Sequence, residues 1–313
     1  MSNNSILNSF LVIKENVDDD ILLRKIHFKR FNTKFPINCI KEIEKKYIET
    51  NDIRYFNELL WICDDRKKIT NSLKIFNNHF KNGIYEHNYS TIFSNQKYDQ
   101  LNSNTISLKN NTVALVGNPL FFILPYFKLL KHNIKADVIH VKYHPSKFLN
   151  KIFNCLSPFY KIIFRSSYHK INIDNKSQLD KIKLPKNYDI GFHKLSFIIK
   201  ENIISCFRKG LINDHWGALP LIKGRSTLLY SKLLGIPPII TTHLINKRID
   251  SGKIINYYPL KKKFIKIQII FGLSFRVFDS LNLLCQMKFR GLDNETGYVF
   301  FEMHPWLINK INS

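Results

Sequence analysis

The chain has 313 residues, 44% of them hydrophobic, which is enough for one large domain or two modest ones with a core that needs no covalent staples. Five scattered cysteines (Cys39, Cys63, Cys155, Cys206 and Cys285), odd in number and without a C-x-x-C pair, argue against a disulfide framework and a zinc knuckle; the cytoplasm is the expected compartment. The net charge of +24 comes with Ile, Lys and Asn spread along the whole chain, so it reads as a global bias. No nucleic-acid partner is expected from it, although a positive field gathers anionic ligands.

Residues 1–109 carry helical spacing of apolar residues over 38–47 and 51–61. The polar N-terminus has only a short apolar run, Phe10 to Ile13, with no basic flank, so no signal peptide is expected. The Asn-, Ser- and Thr-rich stretch 88–111 reads as a linker, and the N-terminal region receives no role.

The pattern then changes. An apolar strand is expected over 112–116, ending at Gly117, Asn118 and Pro119, with a helix through 130. Strands follow at 137–142, 188–192 and 211–215, with helices near 147–154 and over 196–207. Ser226 or Thr227 can open a helix over 226–234 that Gly235 stops, and 238–245 is an apolar strand. Beyond residue 261, Ile267, Ile270, Phe271, Ser274, Phe278, Leu281 and Cys285 fall on one helical face that either covers the sheet or serves a homodimer. Lys266, Gln268, Arg276 and Asp279 interrupt that stretch, so no membrane span is expected. The alternation predicts an α/β fold with a mainly parallel sheet flanked by helices. It divides the chain into 1–109, an α/β domain at 110–260 and a C-terminal helix and tail at 261–313.

Ligands of such sheets bind beyond the carboxyl ends of the strands. Asn213 and His215 lie at one such end, two residues apart, and so share a face in extended chain. An Asn amide can donate to a developing oxyanion, a His can move a proton near neutral pH, and a carboxylate such as Asp250 can orient the imidazole. Each residue alone also has an ordinary structural reading: Asn-x-His is common, and an Asp before Ser-Gly often caps a turn.

The ordered set Asn213-Asp214-His215, Leu219-Pro220, Gly224, Thr241-Thr242-His243 and Asp250-Ser251-Gly252-Lys253-Ile254-Ile255 resembles the core of the folate-dependent formyltransferases. That family includes glycinamide ribonucleotide, methionyl-tRNA and sugar N-formyltransferases. The likeness is good over 185–256 and loose over 112–184. It implies a Rossmann-like fold, N10-formyltetrahydrofolate as formyl donor and no metal. By the same resemblance Asn213 is the oxyanion donor, His215 the general acid/base and Asp250 the carboxylate that assists it. Thr242 and His243 would shape the loop behind them. Phe192, His193, Lys194 and Gly252 occupy the places that bind the folate, with Phe192 equally readable as core and Lys194 as a solvated charge; Gly252 would let the Asp250 loop bend.

The departures choose a branch. Gly217 after His215, and the Gly224-Arg225-Ser226 run, are similar to sugar N-formyltransferases of surface-polysaccharide (lipopolysaccharide or O-antigen) pathways. Trp216 and Ala218 are unusual even there. Trp216 could stack on a pterin or substrate ring, yet an anchor that buries the loop is the more ordinary use of such a residue. Lys223 and Arg225 could face acceptor phosphates, against the ordinary reading of a solvated face. The expected reaction is formyl transfer to a primary amine on a nucleotide-linked amino sugar. A methionyl-tRNA formyltransferase is the rival within the family; it carries a C-terminal tRNA-binding domain, whereas about fifty residues follow the core here. A binding module that keeps the fold without catalysis is the rival outside it.

Overall fold

A computed structural model describes residues 23, 26–27, 35, 37–63, 65–83, 108–142, 156–173, 176–195, 197–261, 263, 265–289 and 298–313. The helix expected near 147–154, Cys155 and most of the 88–111 linker lie outside them.

Three helices open the described chain: α1 (Ile37–Thr50), α2 (Ile53–Ile62) and α3 (Thr70–Lys81). In α1, Ile40, Ile43 and Tyr47 recur at helical spacing and are buried. Asp52 caps α2 by accepting the Arg54 N–H at 2.9 Å, and the Arg54 guanidinium grips the same carboxylate at 2.6 Å. Sequence pattern does not announce α3, whose buried residues are only Ser72 and Phe76. Tertiary packing makes it: Phe76 stacks on Phe56 with centroids 4.6 Å apart.

Next come β1 (Val113–Gly117), α4 (Ile123–Lys131), β2 (Ala136–Lys142), α5 (Ser157–Phe164) and β3 (Tyr168–Asn172). They are followed by β4 (Tyr188–Lys194), α6 (Glu201–Ile204) and β5 (Phe207–His215). The helix expected over 196–207 is therefore a single turn, because β5 begins four residues earlier than the pattern suggested. After it stand β6 (Ile222–Gly224), α7 (Thr227–Leu233), β7 (Ile239–Leu244) and β8 (Ile254–Pro259). The chain closes with α8 (Ile265–Phe271), α9 (Leu273–Cys285), β9 (Tyr298–Phe300) and α10 (Pro305–Asn312). Ser226 stands at the N-cap of α7, but its hydroxyl does not cap the helix; Oγ accepts the Met303 N–H at 3.1 Å instead.

The elements form two compact units that are interleaved in sequence. One comprises Met1–Lys97, Leu221–Pro237 and Gly297–Ser313; the other Tyr98–Pro220 and Pro238–Thr296. The linear division at 109 and 260 differs from this, since α7 belongs with the N-terminal helices and the residues after 261 are shared between both units. In the first unit, β6 pairs parallel with β9, and Trp306 of α10 packs edge-on against Phe56 and Phe76.

The second unit is a seven-stranded sheet in the order β3-β2-β1-β4-β5-β7-β8. The first five strands are parallel, and β7 runs antiparallel to both its neighbours, β5 and β8. This is the α/β architecture that the alternation predicts. One face buries Leu115, Val138, Phe192 and Ile212 against Phe122, Leu129, Val277 and Leu281. The other buries Ala114, Val116, Ile139 and Leu211 with Ile199, Ile203 and Phe207. Each of the larger side chains contributes about 1.5–3 kcal/mol on burial.

The C-terminal helical stretch is bent by 56° between α8 and α9. The single apolar face drawn through both does not survive this bend, because the periodicity does not carry across it. Ile267, Ile270 and Phe271 are exposed, while Leu273, Val277, Leu281 and Leu284 of α9 cover the sheet. Among the described residues no single helix is long and apolar enough to cross a membrane.

Candidate active site

The carboxyl end of β5 lies between β4, parallel to it, and β7, antiparallel. Cross-strand partners share a face of the sheet. His193 pairs with Asn213, and Asn213 with His243, so these three side chains form a row across three strands. His215 follows on the same face, two residues beyond Asn213.

The hydrogen bonds orient that row. His243 Nδ1 lies 2.8 Å from the Leu244 carbonyl, which only an N–H can satisfy. In the neutral ring this leaves Nε2 as an acceptor, and Asn213 Nδ2 donates to it at 3.1 Å. The Asn213 amide is thereby fixed, with one N–H held by His243. His215 Nδ1 stands 3.3 Å from Asp250 Oδ2, and Asp250 Oδ1 lies 3.5 Å from His243 Nε2. Asp250 thus stands between the two imidazoles, whose rings meet edge-on at 6.2 Å.

Asp250 adopts φ +47°, a left-handed conformation that Asp tolerates better than most residues. The bend of the loop is therefore at Asp250 and not at Gly252. Gly252 is required for a different reason: a Cβ there would collide with the Leu244 carbonyl oxygen. The strand pair closes over this contact through Leu244 N–H to the Lys253 carbonyl, 2.9 Å.

The residue between the pair, Asp214, points to the opposite face and is buried. Arg276 of α9 meets its two oxygens with Nε and Nη2 at 3.1 and 3.2 Å, and Lys194 Nζ approaches at 2.8 Å. Burial alone would raise this carboxyl, but the Lys194 and Arg276 charges and their hydrogen bonds hold it well below the usual carboxylate range. Burial, and then the Arg276 charge, lower the Lys194 ammonium against the opposing pull of Asp214. Arg276 also donates to the Gln268 and Ile269 carbonyls near the end of α8, at 2.9 and 2.8 Å. On the same face Thr242 accepts from Ser280 at 2.9 Å, Ser280 reaches Tyr258, and Asn256 donates to Asp279 at 3.0 Å.

Neither a protein-family model nor a curated protein matches the sequence. Solved structures are similar over part of their length. A 4-N formyltransferase from Francisella tularensis is 16% identical over 61% of this chain and 76% of its own, with a TM-score of 0.43. A sugar N-formyltransferase from Shewanella is 17% identical over the same shares, also at 0.43. The methionyl-tRNA formyltransferase from Clostridium thermocellum is 20% identical over 62% of this chain and 74% of its own, at 0.36.

Among the residues singled out from sequence, Asn213, His215, Asp250 and His243 converge as described. Thr242 faces the other way, into the polar contacts with Ser280. Phe192 is fully buried in the core beneath α9. Lys194 is engaged by Asp214 rather than solvated. Trp216 is not a buried anchor: it is 42% exposed, with Lys194 Nζ 5.1 Å from its ring centroid. The loop is held instead by Thr241, whose hydroxyl donates to the Gly217 carbonyl at 2.7 Å and accepts the Leu219 N–H at 3.3 Å. Lys223, Gly224 and Arg225 belong to the other unit, in β6 and the turn after it, with Lys223 buried and Arg225 exposed.

Thr241, Asp214 and Arg276 were named in the sequence without a role in holding the site. One signal was present: a carboxylate at a core-facing strand position and an arginine inside an apolar helix each need a partner of opposite charge.

Proposed function

We propose that the protein is an N-formyltransferase that moves a formyl group from N10-formyltetrahydrofolate to the primary amine of a nucleotide-linked amino sugar. The convergence of Asn213, His215 and Asp250 at the carboxyl end of β5 carries this reading. The acceptor class is supported by the Gly217 and Gly224-Arg225-Ser226 signature.

The donor set suits acyl transfer. The co-substrate supplies an electrophilic formyl carbon, which the neutral amine attacks. Asn213, its amide locked by His243, presents its second N–H to the oxygen that gains charge. Asp250 holds His215 at Nδ1 and so sets Nε2 as the nitrogen that exchanges a proton with the reacting amine. Protonated His215 adds positive charge beside the oxyanion, and Asp250 stabilises that imidazolium. The leaving nitrogen then takes a proton through His215. Exposed Trp216 offers a face to a pterin or base ring.

The test supplies N10-formyltetrahydrofolate with dTDP- or UDP-linked amino sugars and follows tetrahydrofolate release. Wild type turns over with at least one acceptor, and Asn213→Ala and His215→Asn each lower kcat by on the order of 10²-fold. Turnover only on charged initiator tRNA would move the assignment to the tRNA branch. An equally active His215→Asn enzyme would overturn the mechanism.

A further inference from the structure

We propose that His193 is a second hydrogen-bond donor to the formyl oxygen, acting beside Asn213 through its Nε2–H. The proposal rests on the N-formyltransferase reading and adds a residue on a different strand to it.

His193 sits at the end of β4, paired with Asn213 on one side and with apolar Val116 on the other. It shares the face of Asn213 and His243 and is 5% exposed. Its Nδ1 accepts the Leu195 N–H at 3.2 Å, so in the neutral ring the proton is on Nε2. Nε2 is buried and has no hydrogen-bond partner among the described residues. A buried N–H left without an acceptor is costly and therefore rare. The only polar side chain paired with it across the sheet is Asn213, so the acceptor it lacks belongs where Asn213 also points.

Protonation state agrees with this role. Burial, and then the Lys194 charge, push the imidazole down to about 3. Lys194, Asp214, His243 and Asp250 all bear on it, and the two carboxylates only partly offset the lowering. At neutral pH the ring is an uncharged donor that keeps its proton, and His215 remains the group that moves one. Adjacent strands are about 4.8 Å apart. Donors on β4 and β5 can thus converge on one oxygen held between them, each aimed before the charge develops.

Two variants and one spectroscopic readout test it. His193→Met removes the donor, and His193→Gln returns an amide N–H to the same region. With amino-sugar acceptor and N10-formyltetrahydrofolate, His193→Met is expected to lower kcat by roughly tenfold or more with KM for either substrate little changed. His193→Gln recovers a substantial part of that loss. In ¹⁵N-histidine-labelled protein, the His193 ring is expected to stay in its neutral Nε2–H form from pH 5 to 8. Its Nε2 resonance shifts when N10-formyltetrahydrofolate is added to saturation without an acceptor amine.

An active wild type with His193→Met within twofold of it overturns this inference alone. So does an Nε2 resonance unmoved by saturating ligand, which decides the matter even if the methionine variant does not fold. A wild type that transfers no formyl group to any amine overturns the function reading, and this inference with it.

Discussion

His243 shows how one hydrogen bond decides what its neighbour can do. Its Nδ1–H is spent on the Leu244 carbonyl, so Nε2 must accept, and the Asn213 amide cannot flip without facing that lone pair with its own oxygen. His243→Phe should therefore leave substrate binding nearly intact while lowering kcat by roughly tenfold or more, read from separate kcat and KM values. His193 makes a pH prediction of the same kind. Its folded-state value of about 3 lies below the unfolded value near 6.5. Between these limits the unfolded chain binds the extra proton, so its contribution is fully present above pH 6.5 and is lost as pH falls toward 3. The slope reaches about 1.4 kcal/mol per pH unit at most. Urea unfolding at pH 7, 6 and 5 should show stability falling as the pH is lowered in wild type, and a flatter response in His193→Met.

At the scale of elements, the end of β5 is held from both faces. Asp250 and His243 grip one side, and α9 reaches the other through Arg276. Cutting that tether with Arg276→Met leaves Asp214 and Lys194 as a buried pair without the bidentate partner, and should destabilise the fold by about 3–5 kcal/mol in chemical denaturation. Gly252→Ala forces a Cβ into the Leu244 carbonyl and displaces the Asp250 loop, so activity should fall even where the fold survives. Five of the seven sheet strands were readable from apolar runs, and the Asn213, His215 and Asp250 group from its order along the chain; β3 and β8, the two edge strands, were not expected. Long-range pairing was not readable. Asp214 and Arg276 are 62 residues apart, and nothing local to either names the other. The His193–Asn213 pairing likewise depends on strand register, which a linear pattern leaves open. Trp216 was misjudged because burial of a turn residue depends on what packs over it, and here Thr241 does the anchoring that a buried ring would have done.

For the molecule as a whole, the interleaving of the units matters more than their boundaries. The N-terminal helices complete their core with the last residues of the chain. Trp306 covers Phe56 and Phe76, and Asn57 accepts the His304 N–H at 2.8 Å and donates to the Glu302 carbonyl at 3.2 Å. Buried aromatic side chains dominate the packing of a small core, and removing one typically costs about 3–5 kcal/mol. A chain ending at residue 296 would lose β9, α10 and Trp306 together, more than a helical unit of this size can spare. Such a truncation should melt the first unit, seen as rapid proteolysis within 37–83 and loss of helical circular dichroism. The Asp214–Arg276 tether lies wholly within the second unit, so the strands of the seven-stranded sheet should stay protease-resistant. Resistance of 37–83 in the truncated chain would show instead that α1, α2 and α3 hold together without their C-terminal cover.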